Sequence, residues 1–147
     1  MSAASDYLEN AVLALLFNNS NIANLGDATG VRGSTTAGSV WVALYTAAPS
    51  DTGGGTEASY TGYARVAVAR SGAGWTVSGT NPTQVANAAN VTFGACTAGS
   101  NTVTHFGLFD ASTSGNLMVH GALTASLAVS AGITPQFAAG QLTVQLA

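Results

Sequence analysis

The side chains best placed by type and spacing to do chemistry in this 147-residue chain are two histidines, His105 and His120, in the stretch VTHFGLFDASTSGNLMVHGALT (residues 103–124). Alternating positions on either side of the polar turn 110–115 read as a β-hairpin. In a symmetric hairpin Phe109 faces Asn116, Gly107 faces Met118 and His105 faces His120. Both imidazoles then share one side of the ribbon, and Phe106, Leu108, Leu117 and Val119 fill the other. Facing imidazoles offer two metal ligands, but zinc wants at least three from the protein. Asp110, the nearest carboxylate, stands five residues from His105 at the turn end of the strand. The expectation is therefore that His105 and His120 fill space and hydrogen-bond on a half-buried sheet, with no metal and no cofactor.

Catalysis needs a nucleophile, a base and a group to orient them, or paired carboxylates at a workable distance. The six acids, Asp6, Glu9, Asp27, Asp51, Glu57 and Asp110, are scattered, and no GxSxG elbow or HExxH helix occurs. No catalytic residue is expected. The glycine triplet in 49–56 (PSDTGGGT) is not followed by Gly-Lys-Ser/Thr or a helix start, so it reads as a flexible loop rather than a phosphate cradle. Trp41, Tyr60, Tyr63 and Trp75 could stack on sugar faces or meet a partner, although aromatics in a β-protein more often belong to the core. Cys96 is single, so no intrachain disulfide forms; it reads as a small packed hydrophobe.

Charge bounds the function further. Only 6% of residues are charged against 47% hydrophobic, and the cations are Arg32, Arg65 and Arg70, with no lysine. Three arginines cannot neutralise a stripe of phosphates, which argues against nucleic acid. Disorder pairs low hydrophobicity with high charge, the opposite of this composition. A β-protein whose surface is covered by hydroxyls and amides fits instead. Free monomers usually keep a charged surface for colloidal stability, so a chain that lacks one suits an assembly in which neighbours cover it. The apolar run 11–17 is far short of the ~20 residues of a membrane span. Asp6 and Glu9 stand where a secretory signal would be basic, so the N-terminus reads as retained.

These residues must be held by a small set of elements. Leu8, Val12, Leu15 and Leu16 mark one face of a helix over 6–17, with Asp6 and Glu9 resembling a capping box. Residues 18–39 read as a loop or arm. Strands are expected at 40–46 (VWVALYT), 63–70 (YARVAVAR), 74–78, 90–93, 103–110, 117–124, 127–130 and 141–146. No helix alternates with them. The fold class is therefore mainly β, an antiparallel β-sandwich or jelly-roll-like barrel with one N-terminal α-helix, in a single domain over 1–147.

Five segments, SDYLENAVLALLF, VWVALYTAAPSD, GTEASYTGYARVAV, the hairpin above and QFAAGQLTVQL, resemble in their order a family of small tailed-phage structural proteins usually labelled tail-fibre proteins. The resemblance implies a virion component, assembled in the host bacterial cytoplasm, with a β-rich fold and no enzymatic activity. A compact, neutral β-domain then suits display on the particle exterior as a capsid decoration or cement as well as a tail-fibre-like piece, and the aromatic residues and hydroxyl-rich loops suggest the alternative of a host-glycan-binding module of the tail. The partners expected are other virion proteins, major capsid or tail, together with further copies of the chain. A trimer is preferred because such proteins often sit at threefold axes. The chain departs from the family's pattern at 19–39, where a longer segment suits an arm reaching a neighbour.

Overall fold

The computed structural model describes residues 4–26, 30, 33–79 and 83–146, the last without its side chain. Asp27, Arg32 and part of the expected arm lie outside the described residues. The chain is mainly β with antiparallel pairing and one helix near its N-terminus, the class expected from the sequence. Its residues gather into two units, Met1–Ser39 with Ala69–Asn90 and Phe137–Ala147, and Val40–Val68 with Val91–Gln136.

The first unit holds helix α1 (Asp6–Asn18) and a three-stranded sheet ordered β10 (Thr143–Leu146), β5 (Thr83–Asn87), β4 (Trp75–Ser78), against whose β4 and β5 the helix packs. The cap is Ser5, whose hydroxyl accepts the Leu8 N–H at 3.4 Å, rather than the Asp6/Glu9 box. At the other end Asn19 turns left-handed with φ 55° and its N–H reaches the Ala14 carbonyl. Arg70 finishes this terminus: Nε donates to the Leu16 carbonyl at 2.6 Å, Nη2 to Leu15 at 2.8 Å and Nη1 to Ala37 at 3.0 Å. A cation on the last carbonyls also suits the negative end of the helix dipole.

The buried face of α1 differs from the expected one. Glu9, Leu13 and Phe17 point inward, whereas Leu8 and Leu16 remain exposed and Val12 and Leu15 are half-buried. Apolar side chains cover most of the helix circumference, so periodicity alone did not select a face. Phe17 meets the buried Trp75 edge-on, with ring centroids 4.9 Å apart. Asn87, also buried, ties the unit's loops together. Its Nδ2 donates to Ala89 and Ala138 carbonyls at 2.8 and 2.9 Å, and its Oδ1 accepts the Leu142 N–H at 2.8 Å.

The second unit is built on a sheet ordered β2 (Thr56–Glu57), β1 (Ser39–Ala47), β7 (Ser100–Phe109), β8 (Leu117–Ser130), with β3 (Val66–Ala69) also pairing β1. In β1 the run Val42 to Tyr45 is buried on both faces, as its aliphatic and aromatic alternation suggested. A two-stranded ribbon pairs β6 (Val91–Thr92) with β9 (Gln136–Phe137).

Several strand expectations change. The segment 63–70 is extended only over Val66–Ala69, because Gly62 turns the chain before it with φ 103° and packs so tightly that a Cβ there would strike the Ala95 carbonyl oxygen. The two strands expected at 117–124 and 127–130 are one, β8. β2, β5 and β9 were not anticipated; TQVAN in β5 is too polar to announce a strand, yet it is the central one of its sheet.

Candidate functional site at the hairpin turn

The β7–β8 hairpin forms, with a different register from the symmetric one. Phe109 pairs Leu117, Leu108 pairs Val119, Gly107 pairs His120 and His105 pairs Ala122. The pair Phe109 with Leu117 is already one residue off the symmetric register, and Met118, an extra residue at the first irregularity, shifts every later pair by one more, so the two histidines are not opposite each other. His105 Nδ1 lies 2.8 Å from the Thr104 hydroxyl, and His120 Nε2 lies 3.3 Å from an Asp51 carboxylate that is itself fully exposed. Among the described residues no three His, Cys, Asp or Glu side chains stand close enough to hold a metal ion.

The turn itself is held by charge. Asp110 Oδ1 accepts the Asn116 N–H and Oδ2 accepts the Asn116 side-chain amide, both at 2.7 Å. These two bonds hold the Asp110 carboxyl below the usual carboxylate range. Ser114 and Gly115 both take positive φ, 53° and 73°, to close the loop.

Behind the turn stands Arg65. Its Nε and Nη2 donate to the two oxygens of Glu57, each at 2.9 Å, and its Nη1 donates to the Ala111 and Ser114 carbonyls at 3.1 and 2.8 Å. The Arg65 side chain is only 9% exposed, so this bidentate pair is largely out of water, where an unpaired charge would be strongly disfavoured. Tyr63 donates its hydroxyl to Glu57 at 2.6 Å and accepts the Leu44 N–H at 3.1 Å. Burial pushes the Glu57 carboxyl up, but hydrogen bonds from Arg65 and Tyr63 and the Arg65 charge outweigh it, so the group titrates below its ordinary value. The Tyr63 phenol is pushed far up, first by burial and then by its bond to Glu57. The bond to Glu57 raises Arg65 as well. Every member of this cluster favours the ionised pair and a neutral phenol; none is poised to exchange a proton near neutral pH.

Tyr45 and Phe109 stack nearly parallel, centroids 6.5 Å apart, in a cluster with Ala43 against which Trp41 and Leu117 pack. Beside them a cleft of about 420 Å³ opens between the loop carrying Asp51, Thr52, Gly53 and Gly54 and the turn carrying Ser114 and Asn116.

The aromatic residues singled out from the sequence do not assemble into one surface. Trp75 is wholly buried and Tyr60 nearly so, its hydroxyl donated to the Gly94 carbonyl at 3.0 Å, so neither offers a ring face to a sugar. Tyr63 is half-buried between Tyr60 and Phe93, and Trp41 is half-buried. Cys96 is buried as expected, its thiol near the Ala98 and Gly99 carbonyls. Arg65 and Glu57 were not recognised beforehand. Their signal is rarity: in a chain with three arginines, one stands eight residues after a glutamate, just ahead of a strand.

A paired arginine, a capped turn and interlocked phenols hold this part of an antiparallel β-protein together. Residues 3–145 match the family described as Podophage GP4 fiber I protein gp80, and the chain belongs to that family. It is a phage tail-fibre-like structural protein and a component of the virion. No curated protein matches the chain. No helix among the described residues is long and apolar enough to cross a membrane.

Proposed function

We propose that the chain is a non-enzymatic piece of a fibre on the exterior of a tailed-phage particle, acting by assembly with other virion proteins. The match to a fibre family over nearly the whole chain carries this reading. Composition supports it: neutral hydroxyl and amide groups pack against neighbours without the several kcal/mol that desolvating an unpaired ion costs. The fibre is preferred to a capsid decoration because the family is described by its fibre.

Labelled antibody imaging of purified particles, with copy number from quantitative mass spectrometry, tests this. A fibre component is found on tail appendages in a small number of copies. Label spread over the capsid in hundreds of copies would replace the fibre with a decoration role, and absence from purified virions would remove both.

The cleft beside Tyr45 and Phe109 favours a second role, host-glycan recognition, because the polar groups of Asp51, Thr52, Ser114 and Asn116 line a concavity next to aromatic residues. On a glycan array this role requires a ligand whose binding Asp51→Ala weakens. An array without a hit at millimolar concentration dismisses it.

A further inference from the structure

If the cleft beside Tyr45 and Phe109 holds a glycan, as proposed above, the class of glycan follows from which of its polar groups are already spent. The two rings are themselves buried, so they wall the cleft without offering a broad face for stacking, and polar groups decide what it takes.

The strong donors are committed inside the protein. Arg65 gives Nε and Nη2 to Glu57 and Nη1 to the Ala111 and Ser114 carbonyls, so four hydrogen bonds use nearly all of its N–H groups and Glu57 matches its charge. Asn116 gives its backbone N–H and its side-chain amide to Asp110, and the Gly53 N–H goes to the Ser50 carbonyl at 2.8 Å. The acceptor side is free by comparison. The Asp51 carboxylate is fully exposed, and His120 Nε2, at 3.3 Å, approaches it only at the long end of hydrogen-bond range. Residues 40–68 and 91–136, the unit that contains the cleft, carry Arg65 and no lysine against Asp51, Glu57 and Asp110. With Arg65 paired to Glu57, the surplus charge of this unit is negative, and at the cleft it sits on Asp51.

We infer that the cleft takes a saccharide with a free amino group, an aminohexose unit whose ammonium meets the Asp51 carboxylate, and rejects uronic acids, phosphorylated sugars and other anionic residues. An anion in the cleft would face an exposed carboxylate and an arginine already matched. Recruiting that arginine means breaking its pair and leaving Glu57 without a counter-charge in a half-buried site. An ammonium needs no rearrangement, because it replaces water on Asp51. Since Asp51 is exposed, the gain is modest, about fivefold in affinity over the same sugar with its amine acetylated, as for an ion pair in contact with solvent.

Titration of the full, isotope-labelled chain with three trisaccharides tests this: a glucosamine trimer, its fully N-acetylated counterpart and a galacturonic acid trimer. The glucosamine trimer should bind about fivefold tighter than the acetylated one, and the galacturonic acid trimer most weakly. The amide signals that move should include those of Thr52, Gly53, Gly54 and Gly115, which line the cleft. Asp51→Asn keeps the shape of the side chain and should erase the preference for the amine, while the affinity for the acetylated trimer stays within about twofold. Asp6→Asn removes an exposed carboxylate from the other unit and should change nothing, which separates a site from the general pull of an acidic protein on a cationic sugar. No shift at the cleft with millimolar glucosamine trimer, either of the other trimers binding there as tightly, or a preference that survives Asp51→Asn would each overturn the inference. The glycan role itself is decided by the array: an acidic glycan held in the cleft keeps that role and removes the amine preference.

Discussion

The Arg65 guanidinium lies over the Phe109 ring, its central carbon 3.5 Å from the ring centroid, while its edges are engaged by Glu57 and by two carbonyls of the hairpin turn. Stacking and a fork of hydrogen bonds together demand a planar cation. Arg65→Lys keeps the charge but loses the fork and the stack, and should lower unfolding free energy by about 2–3 kcal/mol, read from urea denaturation. A loss under about 0.5 kcal/mol would mean that the pair is worth no more than an exposed one.

The Glu57 carboxylate gives the fold an acid sensitivity of known sign. Its folded pKa is lowered, so the stability it contributes is complete above the unfolded carboxylate range, about pH 4.3, and disappears as pH falls through the folded value. Wild-type stability should therefore drop more steeply below about pH 4.3 than that of Glu57→Gln, which starts lower at neutral pH. Parallel profiles for the two proteins would contradict the assignment.

Asn87→Ala should rank among the most damaging single changes in the first unit. It strands the Leu142 N–H and two carbonyls in a buried site, a loss of about 3 kcal/mol. Chemical denaturation measures it, and a change below about 1 kcal/mol would show that water replaces the side chain.

Gly94 faces Gly62 so closely that a Cβ on Gly94 would run into the Gly62 carbonyl oxygen. Backbone, not a movable side chain, stands in the way. Gly94→Ala should destabilise the protein by about 2–3 kcal/mol without altering any polar contact, and thermal melting would reveal it.

The sequence announced its elements better than their partners. β1 and β7 were legible because alternating β-branched, aromatic and small residues leave few other conformations for VWVALYT and VTHFGLF. The His105 and His120 pairing fails because the turn is one residue longer than the symmetric one, so that Phe109 meets Leu117, and the extra Met118 shifts the register by one more; nothing in the residue types marks either. The helix was plain from its period, but Leu8, Val12, Leu15 and Leu16 form as good a stripe as Leu13 and Phe17, so which side met the sheet was left to tertiary packing. The cluster around Arg65 was invisible because residues of β2, the 60s loop and the hairpin turn converge only in three dimensions.

The second irregularity of β8 has a consequence for how copies of this chain coexist while they fold. Between the pairs Val103 with Leu127 and His105 with Ala122, β8 spends four residues, Leu123 to Ser126, opposite Thr104 alone. β8 is the outer strand of its sheet and carries no lysine, proline or carboxylate, the usual guards against a stray strand adding to an open margin. The kink supplies that protection by shape. A bent margin cannot zip to another along its length, which opposes edge-to-edge pairing between molecules that carry little charge to keep them apart.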